Sequence, residues 1–457
     1  MLKSRLLNKL VLTIALLVLT VSSAMALKTL PAGETVWQGE VTVDEPVRVP
    51  RGSRLVIVAG TVVQVKIPAA QIDVSGTIQV KGTVAKPVRF ESPQGWQGIS
   101  FIEAEKGSEF SAVYFTAAEA AISSIATDFK VVDSVFKDCG SAIKLLRESS
   151  PLIEKNRFEN NDLAIDNEMR SAPTIQNNIF IGHRKTAILA SHNSRGLIAN
   201  NRFEKNEQGV GLLQPYPDRI ENNIFIDNKL ALYCNQTKST PMIKGNRFER
   251  NEMALVNYSF AYPAVEDNVF IDNKMAIRND QYGSPLVKHN LFRGNGTAIY
   301  NYRKSNPVVE SNLIEKNDLA LFCDYSSYPK VKKNNFSDNK MAVELGIYQS
   351  ADWEKRSGSK RLMQKEALVR KSKNQMLSQA PTKFNDLVDV TGNWWGHSTK
   401  TMAKAGADTN IPFFYDRIDK EWVTYEGFGP DSYRIDLIVY KPWLEKPVQL
   451  VGPRKRQ

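Results

Sequence analysis

Aromatic, arginine and aspartate side chains recur at fixed positions after each Ala-Ile or Ala-Leu pair in the second half of the chain. One residue after the pair, the sequence reads Tyr233, Val256, Arg278, Tyr300 and Phe322; three residues after it, Asn235, Tyr258, Asp280, Tyr302 and Asp324. Aromatic rings stack on the C–H faces of sugars, and charged groups bond to their hydroxyls. We therefore predict a ligand-binding surface made of Tyr258, Arg278, Asp280, Tyr300, Tyr302, Phe322 and Asp324.

The two aspartates of this surface are also the catalytic candidates. Asp280 and Asp324 are two repeats apart, which is about 9–10 Å if successive repeats stack at the spacing of paired strands. Inverting glycosidases hold their carboxyl groups about 6.5–9.5 Å apart, and Arg278 would stabilise charge in such a site. The alternative is that both acids are ordinary surface residues and that the aromatics are good strand formers that stack without a ligand.

Histidine, cysteine and methionine offer no recognisable metal site. The histidines His183, His192, His289 and His397 are scattered, and no CxxC or Met-x-Met cluster occurs. We predict no cofactor, although aspartate ladders leave calcium open. His183 replaces an asparagine in its repeat and is expected to substitute for it in a turn. Cys234 and Cys323 lie four repeats apart, roughly 19 Å at the strand spacing, so they are expected to be buried and unpaired.

The element that must position these side chains is a 22-residue repeat. Its clearest marker is an asparagine two residues before a phenylalanine or isoleucine, found at Asn156, Asn178, Asn201, Asn223, Asn246, Asn268, Asn290, Asn312 and Asn334. Weaker copies at Phe115 and Phe136 bring the number of repeats to eleven. The full unit reads P-x-[IV]-x-x-N-x-F-x-x-N-x-x-A-[IL]. It contains three short apolar segments separated by asparagine, a residue that tolerates left-handed turns.

Three brief strands and three turns per repeat predict one triangular coil of a parallel β-solenoid. Stacked coils would place identical side chains in ladders, with Phe on Phe and Asn on Asn. Inward and outward residues alternate along a strand, so the asparagines between the two functional columns should face the interior. The outer column of the first strand alternates in charge from Glu221 to Lys332, which is typical of a stabilising ladder and unlike an acidic catalytic cleft.

These motifs resemble the right-handed parallel β-helix repeat family of the pectin-lyase-like superfamily, over roughly residues 35–400. The glycine-rich coils near Gly60, Gly76 and Gly95 are similar to the opening coils of secreted bacterial members. The Asn393-Trp394-Trp395-Gly396 element resembles the one with which they close. A looser resemblance extends to the periplasmic NosD proteins of the copper pathway. The resemblance implies an all-β solenoid, but the fold hosts lyases, hydrolases, epimerases and non-enzymatic binders.

The sequence divides into five segments. Residues 1–26 read as a cleaved signal peptide, with a basic start, an apolar run and an Ala-x-Ala site. Residues 27–105 are expected to form an N-terminal cap and opening coils, and 106–343 the regular repeats. Residues 344–387 are a basic insertion, part helical from the seven-residue spacing of Leu362, Val369 and Met376. Residues 388–457 would hold the Asn-Trp-Trp-Gly element and the C-terminal cap.

The net charge of +11 does not indicate a nucleic-acid partner. The signal segment, residues 351–380 and Arg454–Arg456 account for the whole excess, so the repeats are neutral. We therefore predict an exported periplasmic or secreted protein without a membrane span. Its expected role is non-enzymatic binding or scaffolding in the cell envelope, with a polysaccharide or an envelope protein as partner. The rival is a polysaccharide lyase or glycoside hydrolase, and the oligomeric state stays open.

Overall fold

The computed structural model describes residues 27–214, 219–237, 240–356, 386–405, 409–426 and 429–454. The predicted signal peptide lies outside the described residues, as does most of the basic insertion, including Leu362, Val369 and Met376. In the described part, the chain winds into an all-β parallel solenoid of about 14 turns. This confirms the predicted fold class and the 22-residue coil.

Three parallel sheets run the length of the solenoid, and each coil contributes one strand to each sheet. Within the described residues, sheet 1 has 14 strands: Gly33–Trp37, Ser53–Val58, Thr77–Lys81, Ser108–Ser111, Phe129–Val132, Leu152–Glu154, Thr174–Gln176, Leu197–Ala199, Arg219–Glu221, Met242–Lys244, Ala264–Glu266, Leu286–Lys288, Val308–Glu310 and Lys330–Lys332. Sheet 2 likewise has 14 described strands: Glu40–Val43, Val62–Val65, Val88–Glu91, Val113–Thr116, Val135–Lys137, Arg157–Glu159, Ile179–Ile181, Arg202–Glu204, Ile224–Ile226, Arg247–Glu249, Val269–Ile271, Leu291–Arg293, Leu313–Glu315 and Asn335–Ser337. Sheet 3 has 16 described strands: Lys28–Thr29, Val47–Val49, Gln71–Val74, Gly98–Ile102, Ala120–Ile125, Ser141–Leu146, Leu163–Asn167, Thr186–Ser191, Gln208–Leu213, Leu230–Asn235, Met253–Tyr258, Met275–Asp280, Thr297–Asn301, Leu319–Cys323, Met341–Leu345 and Phe414–Tyr415.

The repeated asparagines form a buried ladder at the corner between sheets 1 and 2. The backbone N–H of Asn246 donates to Asn268 Oδ1 at 2.9 Å, and the same pattern links all nine repeat asparagines: Asn156, Asn178, Asn201, Asn223, Asn246, Asn268, Asn290, Asn312 and Asn334. The left-handed residue of the turn is the one before each asparagine, such as Asp267 (φ 56°). The side-chain amide of each asparagine forms the hydrogen bonds that the buried backbone N–H and C=O groups of the corner need.

A second ladder stands at the corner between sheets 2 and 3, and His183 occupies one rung of it. Its Nδ1 accepts a hydrogen bond from the Asn161 backbone at 3.2 Å, and its own N–H donates to Asn206 Oδ1 at 3.0 Å. Burial lowers the pKa of His183 to about 4, because a charged imidazole would lose its hydration there. His183 therefore acts as a neutral turn residue.

The core is built from stacked copies of the same side chains. Phenylalanine rings of sheet 2 lie face to face along the axis, for example Phe248 and Phe270 with centroids 4.8 Å apart. All three cysteines, Cys139, Cys234 and Cys323, are buried, and none of them forms a disulfide. Outside, Lys288 and Glu310 of the alternating column form an ion pair at 3.0 Å. Dispersion and burial along each ladder stabilise the stack coil by coil.

The C-terminal segment closes the end of the solenoid. Asn393 Oδ1 accepts from the Asn334 backbone at 2.9 Å, and Trp395 stacks on Phe336 at 4.6 Å, so both ladders gain one further rung. The remaining described elements are helix α1 (Ala351–Arg356), a 3₁₀ turn (Gly396–Ser398), helix α2 (Thr399–Lys404), the parallel strands Leu387–Asp389 and Leu437–Val439, and the antiparallel strands Trp422–Thr424 and Ser432–Arg434.

Candidate functional site

Sheet 3 presents the predicted columns on its outer side in the second half of the solenoid. Asn257, Asn279 and Asn301, which separate the two columns, are fully buried and hydrogen-bonded to one another at 2.9 Å. Cys323 continues this row on the next coil toward the C-terminus, and its sulfur accepts a hydrogen bond from Asn301 Nδ2 at 3.8 Å. The residues on either side of the row therefore point away from the core, as strand alternation predicts.

The centre of the outer face is a stack of aromatic rings with an arginine beside it. Tyr300 and Phe322 lie face to face with centroids 4.6 Å apart, and the Arg278 guanidinium sits 5.5 Å from the Tyr300 ring. Tyr302 lies 6.0 Å from Tyr300 on the neighbouring column, with Arg303 over it at 5.0 Å. Burial raises the pKa of Tyr300 to about 12, so its hydroxyl stays protonated. These half-buried rings form a stacked row, called the aromatic platform below, whose ring edges face outward and which is flanked by cationic groups.

Tyr258 lies apart from this platform. It stacks instead on Tyr233, at 6.4 Å between centroids. In the column that contains Tyr233 and Tyr300, the next residue after Tyr233 is Val256, which is buried, and the one after it is Arg278. The predicted surface therefore consists of two aromatic stacks separated by an aliphatic rung and an arginine.

The two aspartates were expected among the exposed side chains of this face, and that expectation is wrong. Asp280 is only 4% exposed and Asp324 only 6%. Arg278 covers Asp280 and donates to its Oδ2 at 2.9 Å. The Arg278 side chain is 35% exposed, so a ligand on this face could contact the arginine of the ion pair but hardly the aspartate. The aspartate side chain is short, so the side chains on the coils above and below cover its carboxylate. A longer side chain in the same column would extend past these neighbours and stay accessible.

Asp324 is held without a cationic partner among the described residues. Its Oδ1 accepts from the Tyr325 backbone N–H at 2.9 Å, and its carboxyl lies directly against Gly346, the next residue of the same column. Burial raises the pKa of Asp324 to about 7, and hydrogen bonds from the Tyr325 and Tyr348 backbones only partly offset that rise. A carboxyl group that is half protonated near neutral pH can donate a proton as well as accept one.

Aromatic residues that the sequence analysis did not select extend the platform onto the C-terminal cap. Tyr325 stacks on Tyr348 at 4.3 Å, and Tyr348 contacts Tyr425 at 4.6 Å. Trp353 on α1 meets Tyr325 edge to face at 6.3 Å. Tyr348 could have been found, because it follows Phe260 and Tyr282 at multiples of 22 residues. Trp353 and Tyr425 lie outside the 22-residue repeats, so the sequence does not indicate that they contact Tyr325 and Tyr348 in the folded chain.

Gly346 permits the position of the Asp324 carboxyl, because a Cβ atom at residue 346 would lie 2.3 Å from Asp324 Cγ. We expect Gly346→Ala to lower the melting temperature, since either the carboxyl or the backbone must move. In an Asp324→Ala background, Gly346→Ala should lower the free energy of unfolding by about 1–3 kcal/mol less than it does in the wild type. A double-mutant cycle by thermal or urea unfolding measures this coupling. Equal costs in both backgrounds would contradict the contact.

The raised pKa of Asp324 predicts a pH dependence of stability. Between roughly pH 4 and pH 7 the folded chain binds a proton at Asp324 that the unfolded chain has lost. Stability from this group is therefore complete below pH 4 and is lost as the pH rises through about 7. Asp166 and Asp436, whose pKa values burial raises to about 6, act in the same direction. Buried His183, whose pKa is lowered to about 4, acts in the opposite direction up to about pH 6.5. The three carboxyl groups outnumber it, so the melting temperature should fall from pH 5 to pH 8.

Asp324→Asn should make that fall shallower, because the amide does not titrate. Asp162→Asn is the matched control, since hydrogen bonds from Lys185 and Arg184 lower the Asp162 pKa and move its titration below this range. Differential scanning fluorimetry at several pH values measures both slopes. A slope that Asp324→Asn leaves unchanged would show that this carboxyl is not the titrating group.

Comparison with known protein families agrees with this architecture. A family model described as a right-handed beta helix region matches residues 111–270, and one described as the periplasmic copper-binding protein NosD matches residues 238–396. Each match spans about a third of the chain, and they overlap in the middle of the repeats. No curated protein matches the sequence. Among the described residues, no helix is long and apolar enough to cross a membrane.

The copper named in the second family description has no matching ligand set in the part of the chain that the structure describes. No three His, Cys, Asp or Glu side chains converge there in a metal-binding arrangement. Cys323 and Cys234 are buried within the core, and His183 uses its Nδ1 in the corner ladder. The described residues therefore do not fit a copper site, and the aromatic platform of sheet 3 is the feature that carries a functional argument.

Proposed function

We propose that this chain, which is a right-handed parallel β-helix repeat protein, binds polysaccharide in the periplasm without cleaving it. The observation that carries the proposal is the Tyr300–Phe322 stack with Arg278 beside it and Asp280 fixed behind the arginine. The ring edges of the stack offer an apolar surface to the C–H groups of sugar rings, and the guanidinium offers donors to hydroxyls. The predicted signal peptide supports export, and the periplasmic family named by one matching model is consistent with it.

The length of the platform suits an extended chain better than a single sugar. Rings continue from Tyr300 through Tyr302 and Tyr325 to Tyr348, which contacts Tyr425 on the cap. Successive rungs advance by about 4.8 Å along the axis. A polymer lying along sheet 3 would therefore meet a ring or an arginine at almost every rung. The rigidity of the stacked coils means that little ordering is lost on binding.

Asp324 favours a second candidate, a polysaccharide-cleaving enzyme. Its raised pKa suits a general acid, whereas Asp280 is ion-paired with Arg278. Carboxyl groups whose environments differ in this way serve as the acid and base of glycoside hydrolysis. Their separation by two rungs, about 9–10 Å, is near the range of inverting enzymes. Burial of both carboxyls within the platform favours binding over cleavage.

Size-exclusion chromatography of the chain from residue 27 onward, mixed with a panel of acidic and neutral polysaccharides, tests both candidates. Co-elution with polymers of unchanged length is expected from a binding protein. Shortened polymers would overturn the non-enzymatic proposal, and Asp280→Asn with Asp324→Asn should then abolish turnover. If no polymer in the panel co-elutes or shortens, carbohydrate binding is wrong, and an envelope protein sought by crosslinking becomes the partner.

A further inference from the structure

The outer face of sheet 2 carries a pattern with twice the period of the fold. Rungs with an arginine before and a glutamate after the core phenylalanine alternate with rungs that are aliphatic at both positions. From residue 157 to residue 271 the six rungs are Arg157/Glu159, Ile179/Ile181, Arg202/Glu204, Ile224/Ile226, Arg247/Glu249 and Val269/Ile271. Core packing requires only the phenylalanine, so the two-coil period belongs to the outer surface.

Each charged rung is organised into a fixed pair. Arg202 bonds to Glu204 at 2.9 Å and Arg247 to Glu249 at 2.7 Å, and Arg157 bonds to Glu159 in the same way. All arginines therefore stand in one column and all glutamates in the other. On the aliphatic rungs between them, Ile224 is 37% exposed and Ile226 only 8%, while the outward residues of Ile179–Ile181 and Val269–Ile271 are partly exposed. The result is a flat face with apolar stripes between rows of oriented ion pairs.

The C-terminal tail covers the same face beyond this region and reaches the edge of its last rung. Val448 exchanges two hydrogen bonds with the Asn335 side chain, and Gly452 packs near Leu313. Arg454 then reaches Asp267 at 2.8 Å, at the corner of sheets 1 and 2. Among the described residues, the tail thus lies over the rungs that follow the alternation and ends beside the coil of Val269 and Ile271. The five patterned rungs from Arg157 to Glu249 have no such cover in the described structure.

We propose that the sheet-2 face of residues 157–271 binds a second copy of this chain, face to face, with the two solenoids side by side and parallel. A two-fold axis parallel to the solenoid axis reverses the strand direction but keeps the order of the rungs. The arginine column of one copy then faces the glutamate column of the other, and aliphatic rungs face aliphatic rungs. This surface lies on a different sheet from the platform, so it does not depend on the proposed polysaccharide site.

Charge complementarity selects this orientation over its alternatives. In an antiparallel pair, arginines would face arginines and glutamates would face glutamates, which is unfavourable. A shift by one rung would bury ion pairs against isoleucines, and uncompensated desolvation opposes it. The patterned strip measures roughly 30 Å by 10 Å at standard strand spacings. That is below the roughly 800 Å² per partner of a standard interface, so we expect a weak dimer that forms with rising concentration.

Analytical ultracentrifugation of the chain from residue 27 onward tests this dimer with two matched variants. The triple reversal Arg157→Glu, Arg202→Glu and Arg247→Glu places like charges opposite one another and should weaken the dimer at least tenfold. The triple swap adds Glu159→Arg, Glu204→Arg and Glu249→Arg, restores complementarity and should dimerise like the wild type. Circular dichroism melting confirms that each variant is folded. A wild-type monomer at all concentrations, or equal behaviour of reversal and swap, would overturn the proposal.

Crosslinking tests the orientation and does not depend on the charge variants. In the parallel dimer, residue 179 of one copy faces residue 181 of the other, and both are partly exposed. A short bismaleimide should therefore join Ile179→Cys to Ile181→Cys when the two variants are mixed, and should join either variant to itself less efficiently. The native cysteines are buried and provide the background control. More efficient joining of Ile179→Cys to itself would overturn the parallel arrangement.

Discussion

Tyr300→Ala combined with Tyr302→Ala should weaken binding of any polysaccharide that co-elutes with the wild type by roughly 100-fold, or about 3 kcal/mol. The two rings occupy neighbouring columns 6.0 Å apart and connect the Phe322 stack to the Tyr325 end of the platform. Their removal takes away stacking area and leaves Arg278 without the ring that it covers. Isothermal titration calorimetry with a defined oligosaccharide measures the loss.

Two control variants separate ring stacking from general damage. Tyr300→Phe with Tyr302→Phe keeps both rings and should retain most of the affinity. Tyr114→Ala removes an exposed ring that also lies under an arginine, Arg89 at 4.9 Å, but on sheet 2. It should not change the affinity. If the alanine pair binds as tightly as the wild type while remaining folded, the platform is not the binding surface, even if the protein binds polysaccharide elsewhere.

Asn268→Ala should lower the free energy of unfolding by about 3–5 kcal/mol. Asn268 Oδ1 accepts from both the backbone and the side chain of Asn246, at 2.9 and 3.0 Å. Its Nδ2 donates to the Ile243 carbonyl at 2.8 Å and to Asn290 Oδ1 at 3.0 Å. Alanine leaves a buried backbone N–H and a buried carbonyl without partners. Because the site is fully enclosed, water cannot replace the lost bonds.

Urea unfolding followed by circular dichroism measures this loss, with Asn200→Gly as the matched control. Asn200 is an exposed asparagine in the same type of corner, but it has a left-handed φ of 56° and precedes the ladder. Glycine adopts that conformation freely, so the change should cost less than about 0.5 kcal/mol. Equal midpoints for Asn268→Ala and the wild type would show that the ladder does not stabilise the stack.

The repeat accounts for most of what could be predicted here. A 22-residue period with one phenylalanine and two asparagines per unit constrains every coil alike, because each coil meets a near copy of itself one strand spacing away. The inward position of Asn279 and the outward position of Tyr300 follow from alternation within a single strand. The two-coil pattern on sheet 2 is equally visible in sequence, but only paired strands show that its arginines share one column.

The repeat was sufficient to predict the solenoid, the ladder positions and the face on which each side chain lies, since all of these depend on residues within one coil or on the next similar coil. The environment of Asp280 and Asp324, and with it their chemistry, depends on the folded chain. Asp280 is covered by Arg278, while Asp324 lies against Gly346 beneath rings that extend to Tyr425 on the cap. Burial of a short side chain depends on the sizes of neighbours that the repeat does not specify, and these neighbours include residues a hundred positions away.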